Sequence, residues 1–270
     1  KALPKPETEE DELKGSEAPL LDHLIELRKR LIYSAIAIGV FFVGCFAVAT
    51  HIYNLLLLPF VWAAGGAENV KMITTSPQEQ FFTNMNVALF GALFLGFPFI
   101  AAQIYAFVAP GLYKKERKAF VPYLIATPIF FLLGALMVYF IILPMALSFF
   151  AGMQTDEIKM LTKVSEYLGL AMTLILAFGV SFQLPVILTL LAQIDLIHVD
   201  ALKKGRRYAI VGILIFAAFI TPPDPISQIG LAVPIYLLYE LAIWSVTLIE
   251  RRRAKALAEQ GLDVSGSSSD

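Results

Sequence analysis

Six apolar runs separated by short polar segments leave this chain little freedom of fold. They lie at about residues 31–50, 81–109, 122–148, 168–192, 208–221 and 227–249, and the only charged residue inside them is Glu240. A helix needs about 20 mostly apolar residues to cross a bilayer, fewer where the bilayer thins. The composition agrees, at 58% hydrophobic and 16% charged residues, against roughly half and a quarter in soluble domains. The expected fold class is an all-α integral membrane protein with six transmembrane helices.

Basic residues set the expected orientation, because cytoplasmic loops are enriched in Lys and Arg. Of the 21 Lys and Arg, 18 fall in residues 1–30, 110–121, 193–207 and 250–260; Lys71, Lys159 and Lys163 occupy the alternate segments. Both termini are therefore expected in the cytoplasm. The last two spans are expected to be short. AIVGILIFAAFI, residues 209–220, makes only about 18 Å of helix against a core of about 30 Å. A re-entrant hairpin is the alternative, but the basic clusters at 203–207 and 251–253 require the chain to return to the side it left. Thr221-Pro222-Pro223-Asp224-Pro225 must turn the chain between them.

Pro98, Pro122, Pro128, Pro144, Pro185 and Pro234 lie in or beside the spans, where a missing N–H bends the axis. Several helices are expected to be proline-bent and to pack as a curved wall. Three domain segments follow: a disordered cytoplasmic tail over 1–20, a membrane domain over 21–250, and a basic, then flexible, tail over 251–270. Residues 24–50 also have the basic, apolar and small-residue order of a cleavable signal peptide. With residues upstream of them present, they are expected to form a retained membrane helix.

The sequence argues against several chemistries. Cys45 is the single cysteine, and His23, His51 and His198 are scattered without ligand-like spacing, which disfavours zinc, haem and disulfides. An intramembrane hydrolase would need a Ser–His, paired-Asp or HExxH arrangement in the spans, and none is present. A secondary transporter for a small solute would place ionisable groups at the midplane of repeated halves; only Glu240 is available.

Four motifs remain: HLIELRKRL before the first span, FVAPGLYKKER after the second, FGVSFQLP in the fourth and TPPDPISQ after the fifth. In this order and topology they resemble the TatC family, the receptor subunit of the twin-arginine protein translocase, over about residues 20–250. The resemblance implies a receptor and scaffold in a bacterial cytoplasmic (inner) membrane, not an enzyme. It would have no cofactor or nucleic-acid partner, and its transport would be driven by the proton-motive force. Implied partners are twin-arginine signal peptides of folded proteins, single-span TatB-like and TatA-like subunits, the lipid bilayer, and further copies of the receptor.

The resemblance also implies site residues. Glu116, in YKKERKAF, and Glu26, in HLIELRKRL, match the family's cytoplasmic acids, with Arg28 beside Glu26 and Phe107 near the signal. A carboxylate is the natural bidentate partner of a guanidinium, which suits a receptor for paired arginines. Glu116 can instead pair with Lys115 or Lys118 at the surface, Glu26 can pair with Arg30 at i,i+4, and Arg28 can serve topology or anionic lipid. Gln183 stands where many members carry glutamate; it can contact the signal or bond a neighbouring helix. Thr221 and Gln228 match a polar patch that binds the single-span partners, or they cap their own helices. Pro59 and Asp224 are expected to be structural, and Glu240 is a costly residue without an evident partner.

Overall fold

The computed structural model describes residues 9–66, 72–108, 121–152, 162–221 and 225–259. Glu116 and Asp224 lie outside them. Among the described residues the chain is almost wholly helical: α1 (Glu9–Ala47), α2 (Ala49–Ala63), α3 (Pro77–Val108), α4 (Val121–Met137), α5 (Leu143–Gly152), α6 (Val164–Ser181), α7 (Leu184–Gln193), α8 (Val199–Ile220) and α9 (Pro225–Glu259). Two-residue strands, β1 (Met72–Ile73) and β2 (Thr162–Lys163), pair in parallel and join the α2–α3 and α5–α6 connections.

Five described segments are long and apolar enough to cross a membrane: His23–Ala47, Pro77–Phe107, Pro122–Gly152, Val164–Gln193 and Gln228–Lys255. They coincide with five of the six apolar runs. The remaining run is the second half of α8, whose first half carries Lys203, Lys204, Arg206 and Arg207. Its apolar part, 208–220, spans about 20 Å of helix. Upstream, the segment expected to be a disordered tail is helical from Glu9.

The prolines account for the breaks. Pro144 has no N–H for the Phe140 carbonyl, and the third span relaxes into a π-helical turn, Val138–Ile142, just before it. Pro185 interrupts the fourth span in the same way: α6 ends at Ser181, Phe182 and Gln183 form a turn, and α7 restarts at Leu184. Pro59, fully buried inside α2, leaves the Leu55 carbonyl without its usual helical donor. Tyr139 donates its hydroxyl to that carbonyl at 2.6 Å, and Tyr167 donates to the next one, Leu56, at 2.8 Å. Pro59 is thus built into the packing of α2 against the third and fourth spans.

Tight crossings hold the spans together. A Cβ on Gly179 of α6 would lie 2.5 Å from the Phe131 ring of α4, and one on Gly134 would lie 2.8 Å from the Phe178 carbonyl oxygen. Only glycine allows these backbones to approach so closely, the usual means of packing helices that gain nothing from hydrophobic burial in lipid. The main core gathers Val87, Leu143, Leu168, Phe178 and Leu231. A second, around Leu202, Tyr239, Ile243 and Val246, seats α8 and α7 on α9.

Candidate functional site

The helical period of α1 separates neighbouring charges onto different faces. Glu26 and Arg30, one turn apart, face α3: Arg30 donates through Nη2 to Glu26 Oε1 at 3.2 Å and through Nη1 to Gln103 Oε1 at 3.1 Å. One turn before Glu26, the His23 ring stacks on Phe107 with centroids 4.2 Å apart and planes 22° apart. The end of α1 is thus clasped to the end of α3 by an ion pair, an amide and a ring stack. Glu26 Oε2 accepts no hydrogen bond among the described residues. The chain continues from Val108, one residue past Phe107, into the segment that contains Glu116.

Of the expected site residues, Glu26 and Phe107 are brought together. Arg28 is not: it is exposed on another face of α1, with Ile25, Lys29, Ile32 and Tyr33. Gln103 and His23 complete the cluster, and neither stood out as a site residue in the sequence, although Gln103 lies in the apolar run 81–109, where a polar side chain needs a partner.

Gln183 lies deeper, at the α6–α7 break, and is 5% exposed. Its Nε2 donates to the carbonyls of Thr127 (3.1 Å) and Gly179 (3.3 Å). The Thr127 hydroxyl in turn bonds Tyr123 O at 2.9 Å and stands 2.8 Å from the Tyr105 hydroxyl. A polar path therefore runs from Tyr105, two residues before Phe107 on α3, across α4 to Gln183. Facing two carbonyls fixes the amide with its nitrogen toward them, which leaves Oε1 buried without a partner among the described residues. The same geometry explains why glutamine suits this chain: a carboxylate here would set oxygen against oxygen.

At the other end of α8, Thr221 is buried and bonds the Ala217 carbonyl of its own helix at 2.9 Å, while Gln228 of α9 reaches across to the Leu214 carbonyl of α8 at 3.1 Å. Gln228 therefore stitches α9 to α8, whereas Thr221 closes the last turn of its own helix. On the outer face of α8, Tyr208, Val211, Ile215 and Phe219 recur every three to four residues and are exposed, Phe219 by 88%.

Glu240, without an evident partner in the sequence, has two in the fold. Arg206 of α8 lies 2.8 Å away, and Tyr236, one turn earlier on α9, donates its hydroxyl at 2.8 Å. One signal could have found this pair: Arg206 and Glu240 are equidistant in sequence from Pro223, so an antiparallel hairpin with its turn there sets them side by side.

The comparisons with known proteins agree with this architecture. The family model for the Sec-independent protein translocase protein (TatC) matches residues 22–234. The TatC proteins of Magnetococcus marinus and Escherichia coli K12 are 42% and 37% identical to the chain. The first alignment covers 90% of this chain and 89% of the relative, the second 84% and 87%. A crystal structure of the twin arginine translocase receptor TatC superposes with a TM-score of 0.75 at 34% identity, covering 84% of this chain and 98% of that one. A family match across most of the chain, relatives well above 30% identity and a shared fold lead to one conclusion: the chain belongs to the TatC family of Sec-independent protein translocase proteins.

Proposed function

We propose that this protein is the receptor and core scaffold of a twin-arginine translocase, with Glu26, Glu116, Phe107 and Gln183 forming its signal-peptide site. The observation that carries the reading is Glu26 Oε2, which accepts no hydrogen bond among the described residues, on a carboxylate held through Oε1 by Arg30 one turn from the His23–Phe107 stack where α1 meets α3. An incoming guanidinium meets a carboxylate whose rotamer is already fixed, which lowers the entropic cost of forming a bidentate pair. Phe107 offers an apolar surface one turn away, and Glu116 lies eight residues beyond the last described residue of α3. The polar path from Tyr105 to Gln183 continues from this entry toward the interior, and the unpartnered Gln183 Oε1 is an acceptor for a signal that inserts alongside α4. Arg28, on another face of α1, is outside this group.

The apolar half of α8 forms the sixth span in this reading, short enough to thin the bilayer around it. It places both termini on the cytoplasmic side of a bacterial inner membrane. The exposed stripe Tyr208–Phe219, with Thr221 and Gln228 at its end, is where the membrane helices of TatB-like and TatA-like subunits dock. Gln228 offers polar contact there, whereas the Thr221 hydroxyl already has its acceptor. Members of this translocase family move proteins and catalyse no bond chemistry. The transporter alternative loses its one candidate coupling group, since Glu240 is held by Arg206 and Tyr236. The test is site-specific photocrosslinking of a twin-arginine signal peptide to Glu26→Ala and Glu116→Ala variants in membranes. Both variants should insert normally and lose the crosslink; full crosslinking in either removes that acid from the site.

A further inference from the structure

Three consecutive bases, Arg28-Lys29-Arg30, precede the first apolar run, and the fold treats them differently. Arg30 turns inward and is held by Glu26 and Gln103. Arg28 and Lys29 turn outward and make no ion pair among the described residues; Lys29 Nζ stands 5.8 Å from the centre of the Tyr33 ring. With Ile25, Ile32 and Tyr33 they line an open groove of about 320 Å³. The spacing 25, 28, 29, 32, 33 is one helical face, turned away from the clasp to α3.

We propose that this face of α1 is a binding site for an anionic phospholipid. A phosphodiester accepts hydrogen bonds from the Arg28 guanidinium and the Lys29 ammonium together. The Tyr33 ring sits beneath them at the level that amphipathic aromatics favour in membranes. Below the groove the same face continues as Ile36, Val40 and Val43, exposed by 58%, 68% and 70%. These residues give the acyl chains an unbroken apolar track. Charge selects the occupant: two cations lie at the headgroup level directly above lipid-facing residues, on the side where anionic lipids draw basic segments to the surface. A protein helix docking here would have to bury Arg28 and Lys29 against its own apolar surface, at the cost of desolvating both. The site depends on α1 crossing the bilayer and is independent of the signal-recognition reading.

The test uses the full chain in neutral detergent, without any signal peptide. Retained phosphatidylglycerol and phosphatidylcholine are counted by native mass spectrometry. Wild-type protein should retain phosphatidylglycerol preferentially. Arg28→Gln/Lys29→Gln, which keeps both side chains close to their length, should lower that retention by about tenfold or more while eluting as a single folded species. Lys203→Gln/Lys204→Gln removes the same charge elsewhere and should have a much smaller effect. Inorganic phosphate at equal concentration should not displace the lipid. Equal losses in the two double variants would reduce the effect to diffuse attraction, unchanged retention in the first would eliminate the site, and displacement by phosphate would make it an anion site without lipid selectivity; each overturns the proposal.

Discussion

Replacing Gln183 by leucine should separate folding from function. The substitution removes two hydrogen bonds to backbone carbonyls, each worth about 1 kcal/mol net. It also removes the buried Oε1 that has no partner, a group whose desolvation costs about 1–3 kcal/mol. Leucine fills a similar volume, so cavity formation is small. The opposing effects nearly cancel, and Gln183→Leu should change stability by no more than about 1 kcal/mol, a shift of about 2–4 °C in Tm. Gln183→Glu behaves differently, because the oxygen that replaces Nε2 faces the Thr127 and Gly179 carbonyl oxygens and the carboxyl enters the buried α4–α6 contact. It should lower Tm by well over the leucine shift. Thermal unfolding of the three proteins in one detergent reads these differences. If leucine lowered Tm by more than about 6 °C, or glutamate were neutral, the hydrogen-bond geometry at this break would be wrong. In the proposed function, Gln183→Leu also removes the acceptor offered to an inserted signal, so signal binding should weaken in a protein that remains folded.

Two other contacts give direct tests. The Arg206–Glu240 pair is about a third to a half exposed on each side; a double-mutant cycle with Arg206→Gln and Glu240→Gln should give a coupling of about 1 kcal/mol, read as non-additive Tm shifts, and strict additivity would deny the pair. Gly179→Ala pushes a methyl group to within 2.5 Å of the Phe131 ring, which should cost about 1–3 kcal/mol; Gly169→Ala, on the same helix with open space around it, should be tolerated, and equal effects would mean that α4 and α6 do not cross there.

The apolar runs and the basic loops showed where five long membrane-length helices would lie, because length and hydropathy are local properties. The same patterns marked the last two spans as short. The last is instead long, within α9 (Pro225–Glu259). The shortness belongs to α8 alone, a continuous helix whose first half is cationic and whose second half is too short for an ordinary bilayer. Prolines were visible in the sequence, but their consequences were not. Nothing near Pro59 says that Tyr139, 84 positions from the Leu55 carbonyl, supplies the donor its helix lacks. At the candidate site, Glu26 and Phe107 were legible from their motifs, while the clasp that unites them needed Gln103 and His23 placed by the α1–α3 crossing. Arg28 shows the limit of motif reading: two residues before Arg30 in sequence, it is turned by the helical period onto another surface of α1.

Binding of matched signal peptides tests most directly the proposed recognition of paired arginines by the Glu26 carboxylate, held in place by Arg30, and by Glu116. A labelled twin-arginine signal peptide and its twin-lysine counterpart are titrated against the detergent-solubilised protein at constant ionic strength. A carboxylate poised for the planar fork of a guanidinium should bind the arginine peptide at least about tenfold more tightly, since an ammonium cannot reproduce the bidentate pair. Equal affinity for the two peptides would contradict the account and leave Glu26 as a structural partner of Arg30 alone.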